Sequence, residues 1–160
     1  MGVSGSGKTT VARTMAERWG DVFIESDDLH SAGNIKKMSA GIPLDDEDRL
    51  PWLRAVGERL RVEAAEDHGT VTSCSALKRA YREILREYAP SAFVVELDGP
   101  IDVIRKRVTS RHHAFISPSL LDSQFATLEP LESDERGVRV DVTLGVDEIV
   151  YLVEGAIAGR

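Results

Sequence analysis

The stretch Gly2-Val3-Ser4-Gly5-Ser6-Gly7-Lys8-Thr9 decides the fold class, because it matches the phosphate-loop pattern G-x-x-x-x-G-K-[ST]. Glycines let the backbone curl until several N–H groups point into one concavity that holds phosphate oxygens. A helix that starts at Lys8 or Thr9 directs its positive end at the same anion. The Lys8 ammonium can reach the β- and γ-phosphates of ATP, and the Thr9 hydroxyl can ligate Mg²⁺. The alternative, a flexible Gly/Ser-rich turn, is disfavoured because a helical stripe follows directly. The predicted ATP-binding residues of this segment are Gly2, Val3, Ser4, Gly5, Ser6, Gly7, Lys8, Thr9 and Thr10.

On the carboxyl side of the loop, short β-branched runs alternate with helical patterns, which is typical of an α/β fold. We predict a three-layer P-loop kinase fold, with a mostly parallel sheet flanked by helices. The predicted strands cover 22–24, 71–74, 93–97 and 138–142, and the predicted helices cover 9–19, 51–65, 80–88, 101–110 and 147–158.

On the amino side only Met1 precedes the loop, although a phosphate loop normally follows a buried strand. Either the numbering of the chain starts late or the sheet lacks a strand. We favour the first, because an open slot in a parallel sheet leaves two rows of backbone groups unpaired. We expect residues 1–160 to form a single kinase domain whose first strand is missing.

The composition excludes several classes of protein. The 160 residues are 42% hydrophobic and 29% charged, which is ordinary for one globular domain. No apolar run approaches the length of a membrane span. The net charge of −7 argues against a nucleic-acid partner, which needs a basic face. The single cysteine, Cys74, forms no internal disulfide and fits the reducing cytoplasm.

Asp27 is the candidate catalytic base. It follows the strand predicted at 22–24, and strand ends converge on the binding crevice of such folds. A carboxylate there could accept the proton of an attacking hydroxyl and help to hold Mg²⁺. The neighbouring Asp28 is interpreted as a helix cap or a solvent-facing residue. GTPase signatures are missing from suitable positions, which leaves the small-kinase group.

Several blocks of the chain resemble the bacterial gluconokinase (gluconate kinase) family, in order from the first to the last third of the chain. The resemblance implies transfer of phosphate from ATP to D-gluconate, giving 6-phosphogluconate for the pentose phosphate pathway. It also implies a shikimate-kinase-like or nucleoside-monophosphate-kinase-like fold, dependence on Mg²⁺, and commonly a homodimer. A mobile lid is expected as well, since small kinases close one over ATP. The blocks are Gly2 to Thr9, Ser26-Asp27-Asp28-Leu29-His30, Asn34-Ile35-Lys36-Lys37-Met38, Gly41-Ile42-Pro43-Leu44-Asp45-Asp46-Glu47-Asp48-Arg49, Pro51-Trp52-Leu53, Cys74-Ser75-Ala76-Leu77-Lys78-Arg79-Ala80-Tyr81-Arg82 and Gln124-Phe125-Ala126-Thr127-Leu128-Glu129-Pro130.

A gluconate pocket needs cations for the carboxylate and polar groups for the hydroxyls. Arg49 offers a planar fork for a carboxylate, or alternatively forms an ion pair with a nearby aspartate. His30 is assigned to the site on the resemblance alone, since a surface position at a helix start is otherwise more common. The predicted substrate residues are Asp27, His30, Arg49, Ser75, Lys78 and Gln124.

Arg107 and Arg111, one helical turn apart, are assigned to the lid and to the nucleotide phosphates, with Arg111 also catalytic. A solvated basic face is the alternative. The family's lid reads Gly-His-Phe, whereas this chain has His113-Ala114-Phe115. The pair His112-His113 has no partners at zinc spacing, so a zinc site is not predicted.

Three structural interpretations accompany these assignments. The acidic run 45–48 is expected to cap a helix that starts near Pro51. Trp52 and Cys74 are expected to be buried rather than functional. Two other functions stay open: a kinase for another small acid or polyol such as shikimate, and a nucleotide-binding protein without turnover.

Overall fold

The structure is a computed structural model that describes residues 1–110 and 118–159, apart from the side chain of Pro118. The predictions for Arg111 and for residues 112–115 lie outside the described residues. A 3₁₀ helix, Ser26–Leu29, follows the first strand. The other elements are α1 (Lys8–Trp19), β1 (Val22–Glu25), α2 (Ala32–Ser39), α3 (Asp46–Ala65), β2 (Thr70–Ser73), α4 (Arg79–Tyr88), β3 (Val94–Asp98), α5 (Ile101–Ser110), α6 (Pro118–Thr127), β4 (Gly137–Asp141) and α7 (Val146–Ala158).

The strands run parallel, as predicted, but in the described part of the chain they form two separate pairs. β1 pairs with β2, placing Phe23 opposite Val71. β3 pairs with β4, placing Val95 opposite Val138. Helices flank these strands, so the predicted α/β architecture is confirmed. In place of one continuous sheet, the described residues form two two-stranded sheets.

Met1 lies between the two pairs. Its amino group donates a hydrogen bond to the Val95 carbonyl, and the Leu97 N–H donates to the Met1 carbonyl at 3.0 Å. The next residue, Gly2, donates to the Ser75 carbonyl beyond β2 at 3.1 Å. The start of the phosphate loop is therefore tied to both pairs of strands.

Two apolar clusters cover the strands. The larger cluster joins α1, α5 and α7 to β2, β3 and β4, and the smaller one joins α3 and α4 to the end of β2. Val71 belongs to the larger cluster and Cys74, three residues later, to the smaller one. Side chains alternate between the faces of a strand, so opposite faces of this region are covered by different helices.

The predicted start of α3 near Pro51 is wrong. The helix begins five residues earlier, at Asp46, because Asp45 and Asp48 form a reciprocal capping box. The Asp48 N–H donates to the Asp45 carboxylate at 2.9 Å, and the Asp45 N–H donates to the Asp48 carboxylate at 3.1 Å. The acidic run does cap a helix, as predicted, but Pro51 lies inside it.

Two helices, α2 and α6, are missing from the sequence-based prediction. Ser31 caps α2, accepting a hydrogen bond from the Asn34 N–H at 3.1 Å. No helix in the described part of the chain is long and apolar enough to span a bilayer.

Candidate active site

Among the described residues, no side chain forms a capping hydrogen bond at the amino end of α1, where the phosphate loop ends. Gly7 precedes the helix with φ of 98° and ψ of 11°, a left-handed conformation that suits glycine. The first turn of α1 carries no acidic residue. Its N–H groups and its positive dipole end are thus directed toward an anion site.

Contacts beneath the loop fix its shape. A Cβ added to Gly5 would lie 2.4 Å from Val108 Cγ2, so α5 packs too closely to admit a side chain there. A Cβ added to Gly7 would meet no atom of the described residues within 4 Å. The Lys8 ammonium donates to the Val3 carbonyl at 2.9 Å, which folds this side chain back across the loop. These features fit a bound polyphosphate.

Oxygen ligands gather where α1 meets the ends of β1 and β2. The Thr9 hydroxyl donates to Glu25 Oε2 at 2.8 Å and lies 3.4 Å from the Ser73 hydroxyl. Hydroxyl and carboxylate oxygens are the donors that Mg²⁺ prefers. The residues present therefore fit a magnesium ion beside the phosphate loop. Glu25 and Ser73 were not predicted, although both are the last residues of strands, which is the signal that singled out Asp27.

Asp27 lies in the 3₁₀ helix just after β1 and its side chain is 74% exposed. Among the described residues it lies close to His30, whose Nε2 is 4.0 Å from Asp27 Oδ1. An accessible carboxylate at a strand end can receive a proton from a bound hydroxyl. Asp28 is also exposed, in agreement with the solvent-facing interpretation.

His30 is not a surface residue: its side chain is only 4% exposed. The ring stacks on Trp52 with centroids 4.3 Å apart and planes 13° from parallel. Burial lowers the pKa of His30, and Asp27 opposes this shift only in part. A neutral imidazole is therefore favoured near neutral pH. Trp52 is buried, as predicted, and its indole N–H donates to the Ser26 carbonyl at 2.7 Å.

Arg49 and Lys78 approach the same aromatic ring. The Arg49 guanidinium carbon lies 5.9 Å from the centroid of Tyr81, and the Lys78 ammonium lies 5.5 Å from it. Arg49 is 8% exposed, and its Nε donates to the Leu44 carbonyl at 3.3 Å. Lys78 donates to both oxygens of Asp46, at 2.7 and 2.9 Å.

The alternative to a substrate role for Arg49 is an ion pair with Asp45, Asp46 or Asp48. Among the described residues, the ion pairs of Asp46 and Asp48 are made with Lys78 and Lys37, not with Arg49. Tyr81 adds a hydrogen bond to Asp46, and with Lys78 it lowers the pKa of that carboxyl. An open cavity of about 610 Å³ is adjacent to this cluster. Its lining is Leu44, Asp45, Asp46, Glu47, Lys78, Tyr81 and Thr127.

The other predicted residues lie in separate places. Gln124 accepts a hydrogen bond from the Ser4 N–H at 2.7 Å, so it contacts the phosphate loop. Ser75 accepts from Gly2 through its carbonyl. The Arg107 guanidinium donates to the Val142 carbonyl at 2.7 Å, just after β4 and not to a residue of the phosphate loop. Thr10 is exposed on α1.

Cys74 is buried beneath the site, and burial raises the pKa of its thiol. A neutral buried thiol is a poor nucleophile, which agrees with the structural role expected of it.

A phosphate loop at the amino end of α1, an oxygen cluster at Thr9 and a carboxylate just beyond the end of β1 define a P-loop phosphotransferase. A protein-family model described as "AAA domain" matches residues 1–131. The thermosensitive gluconokinase of Escherichia coli (strain K12) is 44% identical over 158 residues, covering 98% of this chain and 84% of that protein. This chain belongs to the gluconokinase family.

Solved structures agree with this assignment. A crystal structure of a gluconokinase from Sinorhizobium meliloti 1021 has a TM-score of 0.88 at 48% identity, covering 99% of this chain and 89% of that one. An unliganded crystal structure of a sugar kinase from Janibacter sp. HTCC2649 has a TM-score of 0.94 at 46% identity. The match covers 99% of this chain and 91% of that one.

Proposed function

We propose that this chain is an ATP-dependent kinase that phosphorylates D-gluconate to 6-phospho-D-gluconate. The observation that carries the proposal is the hydrogen bond from Thr9 to Glu25. Glu25 lies two residues before the exposed Asp27. This contact supports the proposal because the phosphate loop, the residues that would hold Mg²⁺ and the candidate base would then act at one edge of the strands. The acceptor is inferred from the gluconokinases that match nearly the whole chain.

The loop and α1 would bind the phosphates of ATP through backbone N–H groups and the Lys8 ammonium. Thr9 and Asp27, with Glu25, would hold Mg²⁺, which supplies positive charge that stabilises the phosphoryl group in transfer. We assign to Arg107 and Arg111 contacts with the nucleotide phosphates from a lid of the kind that small kinases close over ATP.

Asp27 would accept the proton of the attacking gluconate hydroxyl. A bond then forms from that oxygen to the γ-phosphorus, the bond to the β-phosphate oxygen breaks, and ADP leaves. Arg49 and Lys78 provide the positive charge for the gluconate carboxylate beside the 610 Å³ cavity. His30, kept neutral by burial, and Ser75 and Gln124 complete the predicted substrate contacts. Homodimer formation, a cytoplasmic location and a place before the pentose phosphate pathway remain predictions.

An ADP-release assay with D-gluconate, shikimate and other sugar acids tests the acceptor, with Lys8→Ala as the inactive control. We expect turnover with D-gluconate that greatly exceeds turnover with the other acids. Turnover with shikimate alone would favour a different small-acid kinase. ATP binding without turnover on any acid would favour a nucleotide-binding protein.

A further inference from the structure

Asn34 is a buried polar residue four positions after the predicted substrate residue His30. It lies in the first turn of α2, and only 5% of its surface is exposed. Its side-chain nitrogen Nδ2 donates a hydrogen bond to the Asp48 carbonyl at 2.8 Å and lies 3.3 Å from Nδ1 of His30. One amide group therefore joins α2 both to α3 and to the segment that follows β1.

The Asp48 carbonyl fixes which way the Asn34 amide faces. A carbonyl oxygen can only accept a hydrogen bond, so the Asn34 atom that lies 2.8 Å from it is the nitrogen and not the oxygen. The same nitrogen carries a second hydrogen and cannot itself accept a hydrogen bond. The contact with His30 therefore requires that Nδ1 accepts and carries no proton.

Packing holds the His30 ring in the orientation that makes this contact. The ring stacks on Trp52 with centroids 4.3 Å apart, and the Trp52 indole N–H is itself bonded to the Ser26 carbonyl at 2.7 Å. Turning the ring over would set a C–H against the buried Asn34 nitrogen, and a buried donor without its partner is costly. An imidazolium would set an N–H against the same nitrogen, and burial also lowers the pKa of His30. The ring is therefore neutral, with its one proton on Nε2.

Nε2 is the His30 atom that faces the candidate base, at 4.0 Å from Asp27 Oδ1. This distance is longer than a hydrogen bond, as is common for catalytic contacts before the substrate binds. An Nε2 that carries a proton attracts the carboxylate, whereas an Nε2 with a lone pair repels it. The tautomer of His30 therefore decides whether the ring attracts Asp27 Oδ1 or repels it.

We propose that Asn34 is a positioning residue for phosphoryl transfer. By donating to Nδ1 it fixes His30 as the Nε2–H tautomer, and His30 then orients Asp27 by donating to its Oδ1. The other carboxylate oxygen, Oδ2, is left to take the proton of the attacking hydroxyl. This inference rests on the proposed function, because it requires Asp27 to be the base. The position of the His30 proton, however, can be measured without turnover.

The His30 proton is located by NMR of the ¹⁵N-labelled chain at about pH 8, where an imidazole is neutral. Long-range ¹H–¹⁵N correlations distinguish a ring nitrogen that carries a proton from one that does not, and His30→Gln identifies the His30 signals. We expect the proton on Nε2 in the wild type. In Asn34→Asp the new carboxylate can only accept, so Nδ1 should gain a proton. A proton on Nδ1 in the wild type would overturn the proposal, as would an unprotonated Nδ1 in Asn34→Asp.

Kinetics test whether the tautomer matters for phosphoryl transfer. Asn34→Leu has a side chain of similar size but no donor, so kcat should fall about 10-fold while KM for ATP changes little. A His30→Phe background keeps a ring to stack on Trp52 but has no ring nitrogen, and there the same substitution should change kcat less than about two-fold. An equal fall in both backgrounds would show that Asn34 only holds α2 on α3, and would overturn the proposal.

Ser31→Ala is the matched control for the stability of α2. The Ser31 hydroxyl accepts a hydrogen bond from the Asn34 N–H at 3.1 Å, so its loss weakens the same turn and leaves the donor to His30 in place. This variant should lower the Tm, keep the tautomer and leave kcat within about two-fold. A loss of kcat as large as in Asn34→Leu would overturn the proposal. A wild-type chain without turnover on any sugar acid would contradict the proposed function, while NMR would still decide whether Asn34 fixes the tautomer.

Discussion

Asp27 and Asp28 are adjacent residues with the same side chain, and both are exposed. Their surroundings separate them. Asp27 Oδ1 lies 4.0 Å from the buried ring of His30, which is itself fixed by stacking on Trp52. Asp27 therefore lies beside a packed ring, two residues beyond the end of β1. This placement, rather than carboxylate chemistry alone, makes Asp27 the candidate base.

The substitution Asp27→Asn should lower kcat for gluconate phosphorylation by about 100-fold or more, because the amide cannot accept the proton. The ATP-binding affinity should change little, since the phosphate loop is untouched. Steady-state kinetics and ATP titration measure the two effects. Asp28→Asn is the matched control and should leave kcat within about two-fold, a size typical of exposed substitutions. Retention of kcat in Asp27→Asn would exclude Asp27 as the base.

At the scale of elements, a buried ion pair ties α4 to the segment before β4. Arg82 donates to both oxygens of Glu135, at 2.7 and 2.6 Å, and both side chains are almost fully buried. Arg82 also donates to the Glu129 carbonyl at 3.0 Å, and the Glu129 N–H donates to the Leu77 carbonyl at 2.8 Å. The residue after Leu77 is Lys78, so this ion pair supports the end of α4 that faces the candidate substrate cavity.

Glu135→Gln should lower the free energy of unfolding by about 3 kcal/mol, because it leaves the buried Arg82 without its counter-charge. Urea unfolding at neutral pH measures this loss. Glu132→Gln is the control: Glu132 pairs with Arg79 at the surface, with its side chain 59% exposed, and should cost less than about 1 kcal/mol.

The same ion pair predicts a pH dependence. Hydrogen bonds from Arg82 lower the pKa of Glu135 from 4.5 to about 2. A depressed carboxyl pKa contributes stability that is complete above the unfolded value and is lost as pH falls toward the folded value. The difference between wild type and Glu135→Gln should therefore shrink between pH 4.5 and 2. A difference that stays constant over this range would contradict the assigned cause.

At the scale of the whole molecule, the Met1 amine lies between the two pairs of strands, and its titration makes the stability of the fold depend on pH. Its folded pKa of about 5 lies below the ordinary 8.0, so the unfolded chain binds more protons between these values. Stability should rise with pH across that window. Charged or titratable groups acting on the amine are Lys8, Cys74, Glu96 and Arg82.

Acetylation of the Met1 amine removes its charge while keeping an N–H for Val95. The acetylated chain should be more stable than the free chain at pH 5, by on the order of 4 kcal/mol for three pKa units, and about equally stable at pH 8. Urea unfolding of both forms at pH 5, 6, 7 and 8 gives the comparison. Because other groups titrate identically in both forms, a difference that does not vary with pH would contradict the prediction.

The sequence by itself determined the parts of this protein that depend on local patterns. The phosphate loop, the four strands and the start of α1 all follow from residue type and spacing. Helix α3 was misplaced because Pro51 is a strong local start signal, whereas the capping box of Asp45 and Asp48 is stronger still.

Only the tertiary structure decided what depends on residues far apart in the chain. The fold brings Glu25 and Ser73 close to the Thr9 hydroxyl. It pairs Asp46 with Lys78 rather than with Arg49, and it lets the Ser4 N–H donate to the Gln124 side chain. Such pairings are fixed by strand register and helix packing, which no local pattern encodes. The cavity of about 440 Å³ beside Met1 is the clearest case, because β2 and β3, which line it, come from distant parts of the chain.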